Sequence, residues 1–299
     1  MMLKNFGQME QFVREQSGKK RVALAAAHDA DALGSLMMAV DRGIAEAILI
    51  GRRKEIVRVL DEMGKDAGDF RIIEEEDDRA AADKAVELVH RGEADMPMKG
   101  LMHTSTFMKA ILDKEKGLKE EGNLLSQASV FEIPEKDRFL IISDCAVNID
   151  PDLETKIKIT ENAATLAHTL GIEQPKIAVL SAVEVVNPKI RSTVDAAAMR
   201  ERLSDRYLID GPLALDNAID EAAAHHKGIE SPVAGNADIL IVPDLWSGNI
   251  FSKGLVFFAH LRSAGTLNGL KAPVVMSSRT DTVENKYLSI LTAVLQTIR

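Results

Sequence analysis

An apolar run that stops at two hydroxyls and a guanidinium can hold an oxyanion or a phosphate. Residues 275–281, Val-Met-Ser-Ser-Arg-Thr-Asp, form such a stop just before a helical stretch. The Ser278 hydroxyl and the amides of a following helix can donate to an oxyanion. The planar fork of Arg279 matches phosphate oxygens in pairs. The same string also fits an ordinary helix cap, with a hydroxyl and then Asp281 three residues on, and both readings stay open. A second stop, Pro243 to Lys253, opens another helix; Gly248 allows close backbone approach there, Asn249 follows it, and Lys253 can neutralise an anion. Its glycine and lysine spacing is not that of a P-loop. A third, Lys99 to Thr106, is rich in hydroxyls. His103 serves there either as a general acid or base or as a hydrogen-bonded structural histidine, with Thr104 and Ser105 beside it.

Two further strings read as structural. Asp210-Gly211-Pro212-Leu213 is expected to be a turn entering a helix. In Ser143 to Asn148, Cys145 could act as a nucleophile. No neighbouring His or Lys depresses its pKa, so a packing role is the expectation. His225 and His226 read as surface residues at a helix end, and no acidic or histidine set has metal-ligand spacing.

Composition narrows the partners. A net charge of -9 with no basic run argues against nucleic acid. Anions must then be held by a local pocket rather than by the overall field. Cys145 is the sole cysteine, which excludes an intrachain disulfide and suits a reducing, cytoplasmic setting. Residues 1–18 mix charges with apolar groups and are read as carrying no signal peptide, and no apolar stretch is long enough to span a membrane.

The elements that must position these residues alternate in type. Strands are expected at Arg21–Ala27, Ala47–Ile50, Phe70–Ile73, Ala94–Lys99, Ser129–Ile133, Arg138–Ser143, Lys176–Leu180, up to Ile209, at Asp238–Val242 and at Pro273–Met276. Helices are expected at Asp29–Arg42, Lys54–Met63, Ala80–Arg91, near Thr104–Leu112, and at Pro151–Leu170, Val194–Leu203, Leu213–His225, Ser247–Ala264 and Val283–Ile298. The alternation predicts an α/β protein built from βαβ units. A proline-containing turn near Pro134–Asp137 divides it into two α/β/α domains, 1–134 plus 279–299 and 135–278.

Read together, the strings resemble the phosphate acetyltransferase and phosphate butyryltransferase family. The resemblance rests on Ser143 to Asn148, Asp210 to Ala218, Ser231 to Gly235 with Ala237-Asp238, Gly248-Asn249 with Lys253, and Ser278-Arg279. Ala182 to Pro188, Asp216-Asn217-Ala218 and His226-Lys227-Gly228 look more like the butyryltransferase branch. The resemblance implies a two-domain fold like that of isocitrate and isopropylmalate dehydrogenases, with the active site in an interdomain cleft. It also implies a homo-oligomer of at least two chains. The implied reaction is acyl-CoA plus phosphate giving acyl phosphate plus CoA, with butyryl-CoA preferred and acetyl-CoA as the alternative. Coenzyme A and phosphate are substrates, and no tightly bound cofactor or metal is expected. Ser278 matches the serine that hydrogen-bonds the oxyanion, and Arg279 the arginine that holds phosphate. Where acetyltransferases carry an aspartate seven residues after that serine, this chain has Asn285. Glu284 and Asp281 are therefore alternative bases, and a CoA-binding protein without turnover is a further alternative. His103, Thr104, Ser105, Ser126, Gly248, Asn249 and Lys253 are expected to bind CoA or phosphate.

Overall fold

The computed structural model describes residues 1–16 and 18–299. The chain divides into two compact units. The first comprises Phe6–Asn123 and Ala264–Arg299, and the second Met1–Asn5 and Leu124–Ser263.

The first unit opens with α1 (Phe6–Glu15), β1 (Lys20–Ala25), α2 (Ala30–Asp41), β2 (Ala45–Gly51), α3 (Arg53–Glu62), β3 (Arg71–Glu74), α4 (Asp78–His90), β4 (Met96–Lys99) and α5 (Thr104–Ile111). Its strands lie in the order β3-β2-β1-β4, and every pairing is parallel. Strands covered on both faces read as continuous apolar runs, as Val22 to Ala27 does here with hardly any exposed surface. The register aligns the strand ends, because Ala25 lies opposite Ile50 on one side and Lys99 on the other. Residues just past these strands therefore share one carboxyl edge.

The second unit contains β5 (Ser126–Ile133), β6 (Arg138–Ser143), α6 (Leu153–Thr169), β7 (Lys176–Leu180), α7 (Arg191–Leu203), β8 (Leu208–Leu213), α8 (Leu215–Ile219), α9 (Glu221–His226), β9 (Ile239–Ile241) and α10 (Leu245–Phe257). Within it the order is β5-β6-β9-β7-β8. The β5–β6 pairing is antiparallel and the others are parallel, so this sheet is mixed. Phe131, Leu140, Ile142, Cys145, Leu213 and Val242 pack in its core.

The chain re-enters the first unit through β10 (Ser263–Asn268), passes Val275, which bridges to Met98 in parallel, and ends in α11 (Val283–Gln296). Every α11 residue from Asn285 to Leu295 is buried, and the helix packs on α1 and α2. A helix buried on all sides needs satisfied polar groups. Tyr287 meets this need by donating its hydroxyl to Glu10 Oε2 at 2.8 Å.

Four sequence expectations are corrected. Gly211 and Pro212 lie inside β8 rather than in a turn. Pro212 is tolerated because β8 is the last strand of its sheet and an edge strand can lack an N–H. The helix expected over Leu213–His225 breaks at Asp220, whose backbone is extended and whose carboxylate caps α9 through the Ala223 N–H. The helix expected over Ser247–Ala264 stops at Phe257, and the small, polar stretch after it forms β10 instead. The strand expected at Pro273–Met276 reduces to isolated bridges at Val274 and Val275. Helix α1 was not expected, although Phe6, Met9 and Val13 recur at helical spacing and are its buried residues.

Candidate active site

At the first unit's carboxyl edge, the chain past Val275 runs beside the end of β4. The Lys99 N–H donates to the Val275 carbonyl at 3.0 Å, and the Val275 N–H donates to the Pro97 carbonyl at 3.0 Å. Ser278 and Arg279, two and three residues beyond Met276, are exposed. The Ser278 N–H donates to Asp281 Oδ2 at 2.7 Å, and the Ser278 hydroxyl contacts that of Thr280 at 3.0 Å. The cap of α11 is Thr282, whose hydroxyl accepts the Asn285 N–H at 3.1 Å. Ser278 is therefore not the capping residue, and its hydroxyl stands at the exposed side of the turn. Asp281 shapes that turn, while Glu284 is exposed in the first turn of α11. Asn285 is buried, with 7% of its surface exposed.

Two lysines flank this turn. Lys286 on α11 donates its ammonium to the carbonyl oxygens of Asp281 and Arg279 and so ties the turn to the helix. Lys99 is only 5% exposed, and its ammonium donates to the Gly100 carbonyl at a long 3.3 Å. Burial lowers the Lys99 pKa, and the positive charges of Arg279 and Lys286 lower it further, against opposing pulls from Asp29 and Asp281. Asp29 belongs to the same edge, since it caps α2 just past β1. Lys99 and Lys286 are the two lysines at this edge to which the sequence reading gave no role. The available signal was a lysine closing an otherwise apolar strand, Met-Pro-Met-Lys.

His103, Thr104 and Ser105 are exposed at the start of α5, which follows β4 after Gly100-Leu101-Met102. The His103 side chain makes no capping bond to that helix.

In the second unit, the two strand-end strings Ser143–Asn148 and Gly248–Asn249 come together. The Asp144 carboxylate, 3% exposed, accepts from the backbone N–H groups of Gln127, Ala146, Val147 and Asn148 and from the Asn148 side chain. It thereby fixes the loop after β6. Asn249 donates its side-chain amide to the Cys145 carbonyl at 3.1 Å. A Cβ on Gly248 would lie 2.5 Å from the Asp144 carbonyl oxygen, so the close approach there is between two parts of the protein backbone. Lys253 is exposed further along α10. Ser126 is fully buried, and its hydroxyl accepts from the Asn162 side chain at 2.9 Å. Cys145 is 3% exposed, and burial first, then Asp144, pushes its thiol up to about 12. A thiol held that high is a packing group rather than a nucleophile.

The three strings that look like the butyryltransferase branch meet in one polar cluster. Lys227 pairs with Glu184 at 3.3 Å and with Asp216 at 3.0 Å, and Asn217 reaches Glu184 at 3.4 Å.

Residues 79–294 match the family described as Phosphate acetyl/butaryl transferase. The chain belongs to this family. It is 46% identical to a phosphate butyryltransferase of Clostridium acetobutylicum, over 98% of each chain. It is 42% identical to a phosphate acetyltransferase of Thermotoga maritima, over 94% of this chain and 97% of that one. The crystal structure of a branched-chain phosphotransacylase from Enterococcus faecalis superposes with a TM-score of 0.83 at 35% identity, covering 93% of this chain and 98% of the other. Membership makes the chain an acyltransferase of the phosphate acetyl/butyryl type. Among the described residues no group of histidine, cysteine and carboxylate side chains could hold a metal ion. No helix among them is long and apolar enough to cross a membrane.

Proposed function

We propose that this acyltransferase exchanges a butyryl group between coenzyme A and inorganic phosphate. The observation that carries the proposal is the exposed Ser278–Arg279 pair at the carboxyl edge of a parallel sheet, where open α/β sheets bind ligands. Arg279 grips the phosphate. Ser278 donates its hydroxyl to the oxyanion that forms when phosphate oxygen adds to the thioester carbonyl. The tetrahedral adduct collapses, the C–S bond breaks, and CoA leaves as the thiolate. In reverse, the CoA thiol gives its proton to a carboxylate before it attacks the acyl phosphate, and that proton passes to the departing phosphate. Glu284 and Asp281 are the two carboxylates near Asn285. Asp281 accepts the Ser278 N–H and Glu284 is exposed in the first turn of α11, and the two stand as alternative bases. His103, Thr104, Ser105, Ser126, Gly248, Asn249 and Lys253 are proposed to bind CoA or phosphate. For Ser126 and Gly248, both buried, that role is to shape the backbone that meets the ligand.

The butyryl preference is supported by the 46% identity to a phosphate butyryltransferase and by the Glu184–Lys227–Asp216 cluster that joins the three branch-specific strings. Acetyl-CoA stands as the competitor, because one or two methylenes alter pocket affinity by only about 1–3 kcal/mol. Thiol release from acetyl-, propionyl-, butyryl- and valeryl-CoA in the presence of phosphate tests both points. Butyryl-CoA is expected to give the highest kcat/KM. Absence of phosphate-dependent release from all four would overturn the reading and leave a CoA-binding protein without turnover. Arg279→Ala should raise the KM for phosphate at least tenfold, with a smaller effect on the KM for acyl-CoA.

The same proposal includes a cytoplasmic enzyme, supported by a buried free Cys145, and kinship in fold to isocitrate and isopropylmalate dehydrogenases. It also includes a homo-oligomer. Helix α10 buries only Gly248, while Trp246, Ile250 and Phe257 on it and Phe258 just past it are 53–90% exposed. Apolar surface concentrated in this way marks a contact with another chain, here a second copy.

A further inference from the structure

Lys99 has chemistry that the family reading does not use. It closes β4 at the edge that carries Arg279, yet it is buried, with 5% of its surface exposed. Among the described residues its ammonium makes only the long hydrogen bond to its neighbour's carbonyl, which leaves two of its three N–H bonds without an acceptor there. Among the described residues no carboxylate forms an ion pair with it, and its ammonium bonds only the Gly100 carbonyl. The contrast with Lys286 is informative, because that ammonium is held by two carbonyl oxygens of the Ser278 turn. A buried ammonium with unused donors is costly unless an acceptor arrives. The charges that act on it most are those of Arg279 and Asp281 of the turn after Val275, Lys286 of α11 and Asp29 of the turn after β1. His28, in that same turn, is also buried, and its Nδ1 has no hydrogen-bond partner among the described residues. With Lys99 itself these are three cations and two carboxylates, and the buried cation has unfilled donors.

We propose that Lys99 is a phosphate-binding cation of this site, and that binding of the dianion is coupled to proton uptake at its Nζ. The inference rests on the phosphate acyltransferase reading and adds a residue and a proton to it. In the empty site, burial and then Arg279 lower the Lys99 pKa. A dianion between Lys99 and Arg279 replaces the missing acceptor and reverses that repulsion, so the bound-state pKa is higher than the free one. Between the two values, each anion bound takes up to one proton from solvent onto Nζ, an N–H bond forms there, and no other bond changes. Phosphate affinity therefore falls as pH rises through the free-enzyme pKa of Lys99, earlier than an ordinary lysine near 10.4 would dictate.

The test is calorimetric titration of the whole protein with sulfate, which is doubly charged throughout and exchanges no proton with buffer. Titrations in buffers of different ionisation enthalpy, from about pH 8 to 10.5, count the protons taken up and stay above the ordinary histidine range near 6.5. The wild type is expected to take up a fraction of a proton per sulfate within this window. Lys99→Arg should keep sulfate binding and lose the uptake, because a guanidinium stays charged. Lys99→Met should weaken sulfate and phosphate at least tenfold, raising the KM for phosphate far more than that for acyl-CoA. No proton uptake by the wild type, uptake retained in Lys99→Arg, or unchanged affinity in a folded Lys99→Met protein would each overturn the proposal. Intact proton-coupled sulfate binding with no thiol release from any acyl-CoA would instead overturn the acyl-transfer reading.

Discussion

Gly100 holds the Lys99 edge together, and replacing it with alanine tests that packing directly. The glycine N–H donates to the Ala25 carbonyl at 2.8 Å, and the next residue, Leu101, donates to the Ala26 carbonyl at 3.2 Å. A Cβ at position 100 would lie 2.3 Å from the Ala26 oxygen and 2.6 Å from the Ala25 oxygen. Both obstacles are backbone at the end of a central strand and cannot swing aside as a flexible side chain would. The turn has to lift away and give up both hydrogen bonds, at about 1 kcal/mol each. Overpacking adds about 1–3 kcal/mol, so Gly100→Ala should destabilise by about 3–5 kcal/mol. For units of this size that is a fall in Tm of roughly 6–20 °C. Gly254→Ala is the control, since a Cβ there meets nothing within 4 Å and the residue sits inside α10. Alanine at that helical position should stabilise by roughly 0.5–1 kcal/mol. Thermal unfolding followed by circular dichroism compares the two. A Gly100→Ala protein melting within about 2 °C of the wild type would refute the claim that the carbonyls of Ala25 and Ala26 fix this turn.

Other outcomes follow from the same geometry. Cys145→Ala should keep most activity, and the native protein should resist alkylation near neutral pH, because a thiol held at about 12 offers almost no thiolate there. Rapid alkylation of the folded protein, or loss of activity in a folded alanine variant, contradicts the packing role. Lys156→Met should cost about 3–5 kcal/mol by stranding Asp195, since that pair is 2.7 Å apart with side chains only 4% and 13% exposed. A change under 1 kcal/mol in urea unfolding would show that Arg191, 3.3 Å from the same carboxylate, suffices alone. Phe257→Glu with Phe258→Glu should reduce the mass seen by sedimentation if α10 joins two copies, and an unchanged mass would place the contact elsewhere.

Legibility in the sequence followed how each element is stabilised. The central strands were readable because burial on both faces demands unbroken apolar runs, as in Arg138–Ser143, where the strand bounds matched. Elements held by local polar contacts were harder to read. The Asp220 break between α8 and α9 depends on one carboxylate choosing the Ala223 N–H, and no periodicity reports that choice. Strand β10 is built of small and polar residues, Ser-Ala-Gly-Thr-Leu-Asn, and its neighbours rather than its own propensities make it a strand. Gly211-Pro212 carried a strong turn signal that was overruled by its place on an edge strand. The exposed placement of Ser278 and Arg279 past an apolar run was legible from residue type and order. Lys99 was not, because a lysine at a strand end ordinarily reaches water, and only the folded edge shows it buried and short of acceptors.

The buried lysine also bears on how an acidic protein handles anionic substrates. With a net charge of -9, the far field of this chain repels both phosphate and CoA. That repulsion is screened beyond roughly 8 Å at physiological ionic strength, whereas charges at an edge partly closed to solvent are screened far less. Affinity must therefore come from cations gathered within a few residues of the reacting centre, and Arg279, Lys286 and Lys99 are so gathered at one strand edge. Lys286 is already satisfied by carbonyl oxygens, which fixes the turn and leaves Arg279 and Lys99 as the cations proposed to meet the ligand. At pH values between the free and bound pKa of Lys99, its charge is present mainly when the anion is, so there the empty site carries less unpaired positive charge and phosphate release sheds the proton again.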